Sequence, residues 1–398
     1  MEMNSKRTKS TTLQLTKEFV VTTMSDGSPT IWYWRGGWYV WNGHYYAYAC
    51  QEGMEHRILL FLEGQTGTTV SGATIRAILD LLRIVQYHDK ETAPCWLHDD
   101  ILLDPNELFV VKNGMLHIAG SQLLARTPAL FNLSAAEFEY CRSASCPRWE
   151  YFLTELWEND ENATSQLQEW FGYCLLPDTS QQKILAVVGP PRSGKSTIAR
   201  VLRELLGRQN VACPSIRSLS GQFGLWALLD KSLAIIPDAT LPRPCPAVEE
   251  LLKSVSGEDA VDIHRKGMAP LTGIRLPTRI MILANEMPSF HDPSGALERR
   301  LITLQTTKSY FGNEDATLTN KLLEELPGIL NWAIEGRTRL HARGRFECSE
   351  GLAVPNDVAQ ALPEPERIRR IVVEYGGYER RRRNRRKDRK RRVHRHPK

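Results

Sequence analysis

Hydrophobic and polar positions follow two different rhythms along this chain, and the change divides it into two parts. Residues 31–49 hold nine aromatic residues at near-alternating positions, interrupted at Gly36-Gly37 and Asn42-Gly43. Alternation with a period of two, broken by turn-forming pairs, predicts short antiparallel strands. Two further elements are predicted nearby, an amphipathic helix and a hairpin centred on Asn113-Gly114: residues 73–87 and 109–118. The first part of the chain is therefore predicted to be β-rich with helices.

The row of aromatic residues has two interpretations. Aromatic side chains can stack on the bases of single-stranded nucleic acid, or they can fill the interior of a small β module. The core is the favoured interpretation, because aromatic residues in so small a module usually form its interior. Residues 148–176 follow as two amphipathic helices rich in Trp and Phe, which predict a helical collar before the next part.

Beyond the collar, the pattern changes to short, continuous apolar runs separated by helical segments. Three runs, Ile184–Val188, Leu233–Ile236 and residues 280–284, are too uniformly apolar to be half-exposed strands. Such runs are typical of a parallel sheet covered by helices on both faces, so the fold class is α/β. The predicted regions are a polar arm, a β-rich and helical region, the collar, the α/β domain and a C-terminal extension: 1–18, 19–120, 121–180, 181–345 and 346–398.

Charge and composition narrow the partners. The chain has 398 residues and a net charge of +5, but residues 380–398 hold 13 lysines and arginines against one acid, Asp388. This run suits a polyanion such as nucleic acid, which is the favoured interpretation; a solvated, disordered end is the alternative. No apolar run approaches the length of a membrane span and residues 1–17 lack a secretory signal pattern, so a cytoplasmic location is expected. The eight cysteines are scattered singly, which predicts reduced, structural thiols.

The motif that carries chemistry is GPPRSGKST, which follows the first apolar run and precedes a helical pattern ending at Gly207. Its glycines let backbone N–H groups wrap phosphates, its lysine supplies a positive charge, and its Ser hydroxyl can bind Mg2+. The sequence therefore predicts a site for a nucleoside triphosphate and Mg2+. The expected binding residues are Gly189, Pro190, Pro191, Arg192, Ser193, Gly194, Lys195, Ser196 and Thr197.

Polar residues at the ends of later apolar runs complete the predicted site. Asp238 follows one run and is expected to coordinate Mg2+, although a strand-end Asp can be a turn cap. Ala239 stands where a second acid would activate water, which leaves the general base open. Asn285 ends the next run and can orient attacking water, or simply end a strand. Arg299 and Arg300 precede the last run, where a guanidinium can neutralise charge on a transferring phosphoryl group.

The order of these motifs resembles the superfamily 3 helicases of small viruses and mobile elements. Within them it is most similar to the helicase half of phage and plasmid DNA primase/helicases, which are related to the poxvirus primase-helicase. The resemblance spans residues 30–345 and includes the flanking stretches WRGGWYVWNGHYY, KNGMLHI and LQEWFGYCLLPDTSQQK. It implies a P-loop, AAA+-like ATPase domain that works in a ring, expected to be a hexamer, and unwinds DNA during replication.

The resemblance also implies roles for individual residues. Lys195, Asp238, Asn285 and Arg300 would be catalytic, and Arg300 would act on the ATP of the neighbouring subunit. SGEDAVDIHRKG matches the family's DNA-gripping hairpin, with Lys266 as the expected contact and Arg265 and His264 beside it. From the residues alone, this segment is an alternating strand that ends in two cations, and a solvated hairpin tip is the alternative to a DNA contact.

The resemblance stops short at both ends. No polymerase-type primase domain is predicted before residue 180, so priming is not expected and a separate primase is a possible partner. No winged-helix pattern is predicted after about residue 350. Three other functions stay open: a nucleotide-switched replication initiator, a small-molecule kinase, and an inactive truncated copy. The absence of acceptor motifs disfavours the kinase.

Overall fold

The structure is a computed structural model that describes residues 11–65, 70–158, 160–237, 246–287, 290 and 295–347. Asp238, Ala239, the basic run at 380–398 and most of the predicted N-terminal arm lie outside these residues. Within them no helix has the length and apolar character needed to cross a membrane.

The first region consists of short antiparallel sheets and flanking helices. The elements in chain order are α1 (Thr12–Thr22), β1 (Met24–Ser25), β2 (Ser28–Pro29), β3 (Ile31–Trp34), β4 (Gly37–Trp41), β5 (Tyr46–Ala49), α2 (Gln51–Glu63), α3 (Gly72–Val85), β6 (Cys95–Trp96), β7 (Leu108–Val111), β8 (Gly114–His117), β9 (Gln122–Leu124) and β10 (Leu130–Phe131). The strands form the pair β1–β2, the sheets β3-β4-β5 and β7-β8-β9, and the pair β6–β10.

The aromatic row of this region mainly forms core. Trp34, Trp38 and Tyr46 are each at most 3% exposed, whereas Tyr48 is 69% exposed. Alternation along strands β3 to β5 directs Ile31, Trp38 and Val40 to the face that packs against helices α1 to α3, and Trp34 and Tyr46 to the opposite face, against Phe131 of strand β10. The helix α1 extends into the segment that the sequence predicted as a polar arm, because its Leu15 and Phe19 join this core.

The second region is a parallel sheet between helices. Its elements are α4 (Pro147–Trp157), α5 (Glu161–Cys174), β11 (Ile184–Val188), α6 (Lys195–Leu206), β12 (Val211–Ala212), α7 (Ile216–Leu219), β13 (Leu233–Ile236), α8 (Pro246–Ser256), β14 (Val261–Arg265), β15 (Met268–Ile274), β16 (Arg279–Ala284), β17 (Leu301–Gln305), α9 (Leu318–Leu323) and α10 (Leu326–Arg343). The sheet order is β12-β13-β16-β11-β17, and all four pairings are parallel. Strands β14 and β15 form a separate antiparallel hairpin.

Both faces of the parallel sheet are buried, which explains the uniformly apolar runs. Leu185 and Val187 of β11 pack with helices α4, α5, α6 and α10, whereas Ile184 packs with α8 and the base of the hairpin on the opposite face. Successive side chains of a strand point to opposite faces, so every position of a doubly covered strand must be apolar. The predicted mixed α/β architecture with a parallel sheet is confirmed.

The two helices predicted as a collar share a core with helix α10. Trp149 of α4, Phe171 of α5 and Trp332 of α10 form an aromatic cluster with ring centroids 5.5–5.6 Å apart. Helices α5 and α10 cross closely at glycines, since a Cβ on Gly172 of α5 would lie 2.3 Å from the carbonyl oxygen of Ala333 in α10. This packing places α4 directly over the loop that follows β11.

Candidate nucleotide site and hairpin

The loop 189–194 joins the end of β11 to the start of α6 and is held by the neighbouring strands. The N–H of Gly189 donates to the carbonyl of Ala284, at the end of β16, over 3.2 Å. A Cβ on Gly189 would lie 2.0 Å from Oγ1 of Thr306, so only glycine fits there. Gly194 has a φ of +82°, which glycine adopts without strain. The two glycines of the sequence motif are therefore required by close approach and by backbone conformation.

The side chain of Lys195 lies inside this loop. It is 8% exposed, and its Nζ donates to the carbonyl oxygens of Gly189 and Pro190, each at 2.6 Å, and to Oγ of Ser193 at 3.2 Å. These contacts fix an ammonium group at the amino-terminal end of α6, where the first N–H groups of a helix have no partner within the helix. A buried cation beside such N–H groups is an arrangement that binds anions.

Thr306 supports the loop from the adjacent strand, and sequence reasoning missed it. Its N–H donates to the carbonyl of Val188 over 2.8 Å, and its Oγ1 donates to Oγ of Ser193 over 2.8 Å. Thr306 and Ser193 are each 1% exposed. The sequence signal for Thr306 was its position directly after the last apolar run. The carboxyl ends of parallel strands lie side by side, so a residue there can reach the loop that follows β11.

A cleft of about 880 Å³ opens from this loop. Helix α4 contributes one wall, and residues 310–321 contribute the facing wall. A volume of this size lies within the range of pockets that hold small molecules and cofactors. The lining side chains include cations, acids and two tyrosines: Arg148, Tyr151, Glu155, Arg200, Tyr310, Asp315 and Lys321.

The segment that forms the facing wall is bonded directly to the loop. The N–H of Tyr310 donates to the carbonyl of Arg192 over 2.9 Å, and Oγ of Ser309 donates to the carbonyl of Pro191 over 2.8 Å. Arg192 also pairs with Glu314 at 3.5 Å. Sequence reasoning gave no role to this segment, since it carries no motif of its own.

Two of the other predicted catalytic residues, Asn285 and Arg300, lie at opposite ends of the strands of the parallel sheet. Asn285 is exposed and follows Ala284, which is paired with Val188, so it stands at the same edge as the loop. Arg300 precedes Leu301, which pairs with Ile184 at the other end of β11. At about 3.3 Å per residue, roughly 16 Å of strand separates this end from Gly189. The Nη1 of Arg300 donates to the carbonyl of Lys253 over 3.2 Å.

The remaining expected metal ligand on the loop, Ser196, is exposed in the first turn of α6. Among the residues that the structure describes, no group of three His, Cys, Asp or Glu side chains is arranged to hold a metal ion. Mg2+ bound to a nucleotide needs no such group, because one or two protein oxygens and the phosphates complete its coordination. Asp238, the predicted carboxylate ligand, follows β13 in sequence and lies outside the described residues.

The predicted DNA-contacting residues occupy the hairpin β14–β15. Its two strands are joined by Lys266 and Gly267, and Gly267 has a φ of +71°. His264 and Lys266 are exposed, whereas Arg265 is half-buried. Ile263 is fully buried and anchors the hairpin on the sheet. The structure therefore brings the three residues together at one tip, away from the cleft.

Comparisons with known proteins give a family model that matches within the second region and solved structures that align with both regions. The model of one protein family, described as a family of unknown function (DUF5906), matches residues 187–300, the span from the loop to Arg300. An apo structure of the C-terminal region of NrS-1 aligns with a TM-score of 0.53 at 13% identity, covering 82% of this chain and 69% of that one. A second apo structure of this region, residues 305–718 of NrS-1, aligns with a TM-score of 0.52 at 12% identity, covering 85% and 76%. These likenesses show a shared fold over both regions.

Proposed function

We propose that this chain is an ATP-dependent DNA helicase that acts in the replication of a phage, plasmid or other mobile element. The observation that carries the proposal is Lys195, a buried ammonium fixed in a glycine loop between a buried strand and a helix. That arrangement is the local structure that a triphosphate-binding loop requires.

The residues of the site fit ATP and Mg2+. Lys195 and the N–H groups at the start of α6 offer positive charge to phosphate oxygens, and the hydroxyl of Ser196 faces the same cleft. Asp238 is the proposed carboxylate ligand. When bound, Mg2+ neutralises charge on the phosphates during transfer. Asn285, at the same sheet edge, would orient the attacking water.

The position of Arg300 supports an assembly of several copies in a ring. Arg300 lies at the amino ends of the strands, so it cannot reach the nucleotide loop of its own subunit at their carboxyl ends. A guanidinium so placed can stabilise the transition state only at the site of a neighbouring subunit, as arginine fingers supplied in trans do. We propose a hexameric ring on the resemblance to superfamily 3 helicases.

DNA is the proposed partner, with Lys266 at the exposed hairpin tip as the contact. The proposal is consistent with the fold that this chain shares with the C-terminal region of NrS-1. A separate primase would supply primers, and the site of action would be the cytoplasm.

Phosphate release and strand displacement test the proposal together. We expect purified protein to release phosphate from ATP, to do so faster with single-stranded DNA, and to displace a labelled strand from a forked duplex. Sizing with ATP and DNA should show a multi-subunit assembly. Lys195→Ala should abolish all three activities, whereas Lys90→Ala, a 44% exposed lysine paired with Asp99, should keep them.

The outcomes separate the alternatives. ATP and DNA binding without strand displacement would indicate a nucleotide-switched initiator. Phosphate transfer to a small molecule without any effect of DNA would indicate a kinase. Absence of both binding and hydrolysis would indicate an inactive copy.

A further inference from the structure

The tip of the hairpin β14–β15 contacts the turn between β3 and β4, more than 200 residues away in sequence. Nη1 of Arg265 donates to the carbonyl oxygen of Arg35 over 2.6 Å. Its Nε and Nη2 donate to the carbonyl of Ala269, across the hairpin, at 3.1 and 2.8 Å. Every nitrogen of the Arg265 guanidinium therefore has an acceptor within the chain.

The turn that accepts this bond is itself held in place by the side chain of Arg35. Nη1 of Arg35 forms an ion pair with Oδ1 of Asp230 at 2.7 Å, and Nη2 donates to the carbonyl of Glu91. The guanidinium carbon lies 4.2 Å from the centre of the Trp34 ring. The side chains of Arg35 and Asp230 are only 14% and 23% exposed, so this pair is shielded from solvent screening.

The backbone of the turn adopts a conformation that is unfavourable for arginine unless other contacts stabilise it. Arg35 has a φ of +49° and Gly36 a φ of +84°, as in the two-residue turns that favour Asn-Gly. A non-glycine residue in this region is strained unless surrounding contacts stabilise it. For Arg35, the contacts to Asp230, Glu91 and Trp34 supply that stabilisation.

The hairpin also packs closely over the glycine of this turn. A Cβ on Gly36 would lie 2.3 Å from Cε of Met268, the first residue of β15. Gly43, in the next turn of the same sheet, has a φ of +95° but no neighbour within 4 Å of such a Cβ. The first turn thus combines a bond to Arg265 with a close contact to Met268, and the second turn has neither.

We infer that Arg35 and Arg265 are positioning residues that dock the hairpin on the N-terminal region and present Lys266 to single-stranded DNA. The guanidinium of Arg265 is used in the contact between the hairpin tip and the β3–β4 turn, which we call the dock. The side chain of Lys266, the next residue, is exposed and has no ion pair or hydrogen bond to any described residue. Asp230 holds the dock through Arg35. The inference rests on the proposed function for its DNA step, but the dock can be tested without DNA.

Hydrogen–deuterium exchange of the free protein tests the dock. Asp230→Asn removes the ion pair to Arg35, and we expect faster exchange of residues 261–274 than in the unaltered chain. Asp80→Asn is the matched control, because Asp80 is 68% exposed and pairs with Arg83 on the surface of α3. Equal exchange of the hairpin in both variants would overturn the dock.

Stimulation of ATP hydrolysis by oligo(dT) tests the consequence. Asp230→Asn removes a negative charge, so electrostatic attraction alone predicts equal or tighter DNA binding. The dock predicts the opposite sign: the DNA concentration for half-maximal stimulation rises about tenfold, as for loss of one charge-assisted hydrogen bond, while hydrolysis without DNA is unchanged. An unchanged or lower concentration would overturn the positioning role.

The dependence of DNA affinity on salt distinguishes Arg265 from a phosphate contact. Loss of one phosphate contact on a single strand lowers the slope of log K against log salt by about 0.7. Lys266→Ala should show that decrease, whereas Arg265→Ala should weaken binding with the slope unchanged. A decreased slope for Arg265→Ala would make it a DNA contact and overturn the inference. If the unaltered chain neither binds oligo(dT) nor responds to it, the proposed function fails, and the exchange experiment alone still decides the dock.

Discussion

The nucleotide loop and the hairpin tip carry the two principal cations of the proposed mechanism, yet they are built in different ways. Lys195 donates to Gly189, Pro190 and Ser193, which lie within six residues of it along the chain. The partner that fixes the hairpin, the carbonyl of Arg35, lies 230 residues from Arg265. The ammonium of Lys195 is therefore placed by contacts within its own loop, whereas the hairpin tip depends on how two distant regions pack.

The two cations also differ in burial, which sets the expected size of mutational effects. Lys195 is 8% exposed, whereas Lys266 is exposed to solvent. A charge in a partly dry site interacts strongly with a bound phosphate, while an exposed charge is screened by water and salt. The following predictions test this contrast, starting from the largest effect.

Lys195→Ala should abolish measurable ATP hydrolysis, because it removes the buried positive charge that lies inside the loop. Phosphate release measures the loss, and thermal unfolding checks that the fold remains. Arg208→Ala is the control, since Arg208 is 60% exposed, lies just beyond the end of α6 and pairs with Glu204 in a surface contact of small energy. Near-normal turnover of Lys195→Ala would remove the basis of the proposed function.

Arg300→Ala should bind ATP but hydrolyse it about 10³- to 10⁵-fold more slowly, the effect of removing an arginine finger. Arg299→Ala, the adjacent exposed arginine, is the control and should have a much smaller effect. Nucleotide binding and phosphate release measure the two steps separately.

Mixing two inactive variants tests whether Arg300 acts in trans. Arg300→Ala supplies an intact loop and Lys195→Ala supplies an intact finger, so a mixed assembly joins both at some interfaces. We expect part of the hydrolysis to return on mixing. If the subunits mix and no hydrolysis returns, Arg300 does not act on its neighbour.

Lys266→Ala should reduce stimulation of hydrolysis by DNA and should reduce strand displacement, since an exposed phosphate contact contributes to grip rather than to chemistry. His264→Ala, beside it on the same tip, serves for comparison and should have a smaller effect because the proposed phosphate contact belongs to Lys266. Equal stimulation of Lys266→Ala and the unaltered chain would exclude this hairpin as the DNA contact.

The smallest effect concerns pH and the core beneath the docking turn. His88 packs on Trp34 and Phe131, and burial lowers its pKa to about 4. The unfolded chain therefore binds more protons between pH 6.5 and 4, and stability is lost as pH falls through that window. We expect the unfolding temperature of the unaltered chain to decrease more over this window than that of His88→Gln. His56→Gln, an exposed histidine on α2, should behave like the unaltered chain, and identical pH profiles for all three would contradict the assignment.

Local patterns predicted much of the fold. The bounds of β11 and β13 agree with the predicted apolar runs, and α6 ends at Leu206, immediately before the predicted stop at Gly207. The hairpin around Asn113-Gly114 is also confirmed. These features were predictable because strand burial, helical spacing and turn chemistry are recorded in neighbouring residues. The roles predicted for Asn285, Arg300 and Lys266 stay predictions.

Contacts between distant residues were decided by the tertiary structure. The sequence by itself specified a glycine loop with its lysine, the strand before it, the helix after it and a basic hairpin. It did not reveal that Thr306 supports the loop, that residues 310–321 wall the cleft, or that Arg35 accepts a bond from Arg265. Each of these contacts joins segments more than 100 residues apart, and no periodicity or turn signal relates such segments. Only the packing of the sheet and its neighbouring regions brings them within bonding distance.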